Sequence, residues 1–433
     1  MIKLSTNQII EDFFSDIGLA LPEDLINTLK TMVLGIVVNE SGTIRNISNN
    51  TIDGPNSRKL NRDFYKLAGN NHSILEEVFS KMQTTPGLAI KPDGVTSLDE
   101  HIIRKTGKEI EGVDYFYSTA DNKSVLGLSM ISTHYYGGRI EYPIDFKIYR
   151  KFEDLEKYKK TSDYKKKNEI ARDLISSSIK SGHYTKYWAV DSYFLTKDNV
   201  KEFKSHNLSY VSKIKRNWKC TYMGMHYTIT ELHDSIPSAE YRMVKVKSPK
   251  TGKYRYFQVA NRNVFISKIG THLLLFIKEY EMDDSDVLVE KYKDDWICLI
   301  SNILTKPPEE IIDIYMKRWA IETSYRDDTQ QLKLSGCMLR DIEGQYCYIV
   351  LVFIAYILLV WAWYNEYLDP FNSDLRTLGQ RRAAFKRISD ELFSEWISDL
   401  KKRCENCTMA KIIYELIYRG DKASSFYKEA IIT

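Results

Sequence analysis

Residues 345–365, QYCYIVLVFIAYILLVWAWYN, carry no charged side chain, in a chain where 28% of residues are Asp, Glu, Lys or Arg. At 1.5 Å per residue such a run makes a helix of roughly 30 Å, long enough to cross a bilayer. A helix that is apolar on every side must be covered, by lipid or by protein. Tyr346, Cys347, Tyr348 and Tyr356 dilute the run, and the sequence holds no second one like it. The reading adopted is a helix buried within the protein, with no membrane. A membrane protein anchored by 346–364 is the remote alternative.

A chain of 433 residues is too long for one ordinary core, so two to four domains are expected. Its hydrophobic content of 43% is that of a soluble globular protein. A net charge of +4 is mild, so any basic surface must be a local patch. The six Cys are scattered, which suits a reducing cytoplasm and argues against a disulfide framework. Cys404 and Cys407 form a lone pair, and zinc would need two more ligands. The start, MIKLSTNQIIEDFF, has acidic residues and no long apolar core, so it does not read as a signal peptide.

Five segments are expected. Residues 1–82 read as helical, with Ser5 capping a helix over about 7–18 and Pro22 opening another through Val38. The helix NSRKLNRDFYKLAG carries Arg58, Lys59, Arg62 and Lys66. Basic residues on a late helix suit a DNA-binding head, with Arg58 and Arg62 as contacts. The plainer alternative is a helical domain with a solvated basic face. Residues 83–94, rich in Pro and Gly, mark a boundary.

In 83–218, Val95–Leu98 is a short strand that delivers Asp99. Val113–Tyr117, Val125–Tyr136 and Arg139–Tyr149 read as further strands. A helix over about 162–181 follows, then a strand Tyr187–Val190 that ends on Asp191. A helical crossover gives this last strand a parallel partner, most simply the first. That pairing brings Asp99 and Asp191 side by side, in the order of an RNase H-like fold. Adjacent carboxylates repel, so such a pair holds a cation or shares a proton. Hard oxygen ligands suit magnesium or manganese. Residues 219–290 show short strands with Gly and Pro turns, and Trp296–Leu304 is a strand leading back to the core segment 291–365. The tail, 366–433, is helical, amphipathic and basic.

Pro307–Gly336 reads as one helix of about 27 residues, a rod of roughly 40 Å. Ile311, Tyr315, Arg318, Glu322 and Tyr325 recur on one face, so an Arg and a Glu interrupt an apolar-aromatic stripe. Two readings stand: an i, i+4 ion pair worth a few tenths of a kcal/mol, or a carboxylate held beside a cation that meets phosphate.

Tyr315, Arg318 and Glu322 match the Y-x-x-R-x-x-x-E-x6-K signature of DDE transposases of bacterial and archaeal insertion sequences, and RWAIETSYRD resembles the same region of that family. The Lys of the signature falls on Thr329; Lys333 lies near the same helical face one turn on. LDEHIIRKTGKEIEGVDYFY resembles the family's first-aspartate region with Asp99 in register. Glu100 and His101 depart from its pattern, and Asp93 is a rival that fits the downstream spacing worse. WAVDSYFLTKDNVKEFKSHNLSYVSKIKRN resembles the second region, with Asp191 and the cluster Lys213, Lys215, Arg216 and Asn217.

The resemblance implies an α/β protein with an RNase H-like catalytic core and a β-rich insertion at 219–290. It implies Asp99, Asp191 and Glu322 as catalytic and metal-binding residues, holding two Mg2+ or Mn2+ ions. Tyr315, Arg318, Lys333, Arg216, Arg58 and Arg62 would contact DNA. It further implies cleavage and transfer of element ends into target DNA by a homodimer, in the cytoplasm at the nucleoid. A decayed or domesticated copy that only binds DNA is the alternative.

Overall fold

The structure, a computed structural model, describes residues 8–51, 55–119, 121–249, 251–282, 287–292, 295–368 and 374–403. Ser5, Cys404 and Cys407 lie outside the described residues, as do the side chains of Lys401, Lys402 and Arg403. The chain divides into two compact units. One comprises Met1–Ala89, Ile103–Leu128 and Ser324–Thr433; the other comprises Ile90–Ile102 and Ser129–Thr323.

The strands, in chain order, are β1 (Val95–Arg104), β2 (Asp114–Ser118), β3 (Lys123–Tyr136), β4 (Glu141–Tyr149), β5 (Tyr187–Val190), β6 (Ser209–Lys213), β7 (Lys219–Tyr222), β8 (Met225–Thr228), β9 (Arg242–Lys247), β10 (Tyr254–Ile266), β11 (Gly270–Met282), β12 (Leu288–Glu290) and β13 (Ile297–Ser301). The helices are α1 (Gln8–Ile17), α2 (Glu23–Val38), α3 (Ile44–Asn49), α4 (Ser57–Ala68), α5 (Asn71–Thr84), α6 (Phe152–Lys157), α7 (Lys167–Lys180), α8 (Lys197–Ser205), α9 (Ile229–Asp234), α10 (Pro308–Met316), α11 (Trp319–Gln330), α12 (Ile342–Tyr364) and α13 (Leu378–Arg403).

The second unit is built on a large mixed sheet in the order β3-β1-β5-β6-β13-β11-β10-β7-β8. The crossover through α7 makes β5 parallel to β1, with Val95 opposite Tyr187 and Leu98 opposite Val190. Strand β6 is parallel to β5 in turn. Alternate residues serve two cores. Leu98, Trp188 and Val190 pack with Ile170, Leu174 and Ile175 of α7 and Val200 and Phe203 of α8. Val95, Ala189 and Val211 pack on the opposite face with Ile311, Ile312 and Ile314 of α10. Residues 219–290 form β7 to β12 and extend this same sheet, because β11 pairs with β13 and β13 with β6.

Two sequence expectations need correction here. Strand β1 does not stop at Leu98 but continues to Arg104, so Asp99 lies within a strand. The single helix over Pro307–Gly336 is instead α10 and α11. The bonds Arg318 N–H to Tyr315 O (3.0 Å), Ala320 to Lys317 (3.0 Å) and Ile321 to Arg318 (3.2 Å) span three residues rather than four. This tightened turn breaks the rod where Arg318 must reach sideways to its partners.

In the first unit α12 is the buried centre. It packs against α1, α2, α4, α5 and α13, and 89% of its most apolar 18-residue window is inside the protein. The cover that the charge-free run demands is therefore protein. The segment Gly107–Tyr117 helps to fix the head of this helix. Glu111 donates its N–H to Arg340 O (2.7 Å), and its Oε2 accepts from the N–H of Ile342 (3.2 Å). Asp341 caps the same end through Gly344 N–H at 2.6 Å.

Candidate active site

Asp191 follows Val190 directly, and its N–H donates to Leu98 O at 3.1 Å, which prolongs the β1–β5 ladder by one step and sets Asp191 beside Asp99. Each aspartate has one oxygen engaged by backbone. Asp191 Oδ1 accepts from Tyr193 N–H at 2.8 Å and so caps the turn Ser192–Phe194. Asp99 Oδ1 accepts from Glu100 N–H at 2.8 Å. The rival Asp93 is exposed in the turn before β1.

Arg318 joins the third carboxylate to this pair. Its Nη1 meets Asp99 Oδ2 at 2.5 Å, and its Nη2 bonds Glu322 Oε1. Its guanidinium also lies 5.6 Å from the centroid of the Tyr315 ring. The side chains of Asp99 and Arg318 are each 14% exposed, and that of Glu322 is 32% exposed. Burial pushes the Asp99 carboxyl up to about pH 7. Arg318 opposes that rise, while the charges of Asp191 and Glu322 add to it. Burial likewise raises Tyr315 to about 12. The Arg318 pKa is raised: burial works against its charge, and Asp99, Tyr315, Glu322 and Asp191 outweigh burial. All three carboxylates thus act on one arginine, and both Asp191 and Glu322 are felt at Asp99.

Among the described residues no three His, Cys, Asp or Glu side chains stand in a group that could hold a metal ion as placed. A guanidinium bonds two of the carboxylates here. The donors themselves are hard oxygens, the chemistry that magnesium and manganese favour. Burial is the main cause of the raised pKa of Asp99, and the charges of Asp191 and Glu322 add to it, so a further cation beside these carboxylates would be favoured. In those two respects the donor set fits a divalent cation.

The Asp99 shift has a consequence for stability. Between the ordinary carboxylate range and about pH 7 the folded protein keeps a proton that the unfolded chain releases, so stability falls as pH rises through that window. Asp99→Asn is neutral at every pH and has the same shape. It is expected to raise Tm near pH 8, by up to about 4 kcal/mol in stability, and to have little effect near pH 4. Thermal unfolding over that range measures it. A variant less stable than the parent near pH 8 would show that the pair with Arg318 outweighs burial.

Some neighbours were not legible in the sequence. Lys167, at the first turn of α7, is bonded to Glu100, whose Oε1 also accepts from Ser129 Oγ at 2.6 Å. The Lys167 ammonium lies 5.1 Å from the Tyr149 ring centroid and 5.7 Å from that of Tyr193. In the sequence Lys167 is one of a lysine run. Its one distinguishing signal is its place at a helix start after the crossover.

The other residues expected to meet DNA fall in both units, Arg216 in the second and Arg58, Arg62 and Lys333 in the first. Arg216 is paired with Asp295 at 2.7 Å and stacks over Trp296 at 4.3 Å. Arg58 and Arg62 are exposed on α4, with Arg62 3.3 Å from the buried Asp63. Lys333 is not one turn further along the Glu322 helix. Helix α11 ends at Gln330, where the N–H groups of Gln331 and Leu332 both turn back to Asp327 O, and Lys333 is left-handed at φ +60°.

Residues 152–358 match the family model described as a transposase DDE domain, and residues 54–222 match that of the DDE superfamily endonucleases. Between them the matched segments include Asp99, Asp191 and Glu322. The chain belongs to the DDE transposases. No curated protein matches it. The DDE transposase families act on DNA and are typically dependent on a divalent metal ion. The mixed α/β sheet of this transposase is consistent with their RNase H-like fold.

Proposed function

We propose that this transposase cuts DNA strands at the ends of an insertion sequence and joins them to target DNA, using Asp99, Asp191 and Glu322 as the catalytic and metal-binding carboxylates. The observation that carries the reading is the β1–β5 register continued by Asp191 N–H to Leu98 O, together with the Arg318 bridge from Asp99 to Glu322. Three acids far apart along the chain act on one another there. Two bound Mg2+ or Mn2+ ions would supply an activated water or 3′-hydroxyl and stabilise the leaving 3′-oxygen. The chain's own part is to present oxygens and to place the strand. Asp99, within β1, and Asp191, directly after β5, offer adjacent carboxylates. Arg318, released from its carboxylates, faces a backbone phosphate beside Glu322, with the Tyr315 hydroxyl as a second donor. Arg216, Arg58, Arg62 and Lys333 extend the contact with double-stranded DNA, and a homodimer in the cytoplasm at the nucleoid brings two ends together.

The test is metal removal. Cleavage of linear duplex carrying the DNA that flanks the coding region should stop in a chelator and return with Mg2+ or Mn2+. Cleavage that persists without divalent ions would sink the reading.

A further inference from the structure

The first unit holds a cleft of about 410 Å³ formed by residues 104–110 and the loop 335–340. Lys105 forms part of its wall. It is only 8% exposed, and its ammonium donates to Cys337 O at 3.1 Å and Ser335 O at 3.4 Å. Lys108 and Arg340 are exposed on the lining and make no ion pair with described residues. Arg104, also on the lining, is paired with Asp121, and Glu109 is the one acidic residue there. The N–H groups of residues 106–109 make no hydrogen bond with described residues. Four cations, one carboxylate and a run of open amides in a concave site favour an anion. No aromatic ring lines the cleft, so it offers nothing for a base to stack on. Its volume is at the small end of ligand clefts.

We infer that this cleft binds a backbone phosphate of the DNA strand, with Lys108 and Arg340 as the contacting cations. The inference rests on the reading that the protein acts on DNA. It adds a contact separate from the carboxylate cluster, and one that is independent of base sequence. The Gly107–Tyr117 segment then has two roles: Glu111 fixes the head of α12, and the loop before it holds the phosphate.

The test is binding of the full chain to a linear duplex of arbitrary sequence, by fluorescence anisotropy, at several salt concentrations. Each phosphate neutralised contributes about 0.9 to the slope of log K against log salt. Lys108→Ala with Arg340→Ala is expected to weaken binding about tenfold and to lower that slope by about 2. Lys108→Arg with Arg340→Lys is expected to keep the parent slope. A slope unchanged by the alanine pair, in a parent chain that does bind duplex, overturns the cleft and leaves the transposase reading intact. A parent chain that does not bind duplex overturns both.

Discussion

Asp191→Ala is expected to lower cleavage of linear duplex DNA by about 10³-fold or more while leaving duplex binding unchanged. Changes to groups that merely support a metal ligand typically cost 10–100-fold, and removing a ligand costs more. The alanine also removes the cap on the Ser192–Phe194 turn, where Asp191 Oδ1 accepts from Tyr193 N–H at 2.8 Å. Loss of a cap costs about 1 kcal/mol. Asp191→Asn separates the two effects, because the amide oxygen keeps the cap while the charge is lost. Both variants should be inactive, and only the alanine should show a lowered Tm. Unchanged cleavage in the alanine variant would remove Asp191 from the catalytic set and overturn the three-carboxylate reading. Restored cleavage in the asparagine variant would assign Asp191 to the turn alone.

Arg318→Gln is expected to destabilise the protein near pH 8 by about 3–5 kcal/mol, a fall in Tm on the order of 10 °C. Arg318 is largely but not fully buried, and it is bonded to both Asp99 and Glu322. Removing the cation leaves two carboxylates close to Asp191 with nothing to offset their repulsion. The cost should shrink as pH falls. Asp99 already ionises only near pH 7, and below that it takes up a proton and needs no partner. Arg318→Gln and Asp99→Asn therefore have opposite signs near pH 8, though both break the same contact. Magnesium should raise the Tm of Arg318→Gln more than that of the parent, since a divalent cation would supply the charge that the arginine supplied. Equal shifts in the two proteins would mean that the carboxylates hold no common ion.

Much of the candidate site was legible because it depends on local order along the chain. Strand, helix and strand, with the second strand ending on Asp191, leave the crossover one simple choice of partner, and β5 does pair with β1 in parallel. The apolar run 345–365 could be placed because an uncharged helix tolerates no water on any side. The β-rich segment 219–290 was visible as short strands between turns, but not its pairing through β11 and β13 into the same sheet, since register between distant strands leaves no local trace.

Sequence alone determined which side chains could meet, because strand order and helical period are properties of neighbouring residues. It placed Asp99 beside Asp191, and Arg318 one turn before Glu322. Only the tertiary structure decided where the helix breaks and what the arginine holds. An i, i+4 pair on an unbroken rod and a guanidinium shared with Asp99 are written by the same residues; the second requires β1 to lie within reach. The same holds for Lys167, which is one lysine in a run until the crossover sets it against Glu100. Propensity acts over a few residues. A charge buried among carboxylates is set by elements more than a hundred positions apart, and its energy belongs to the packed state.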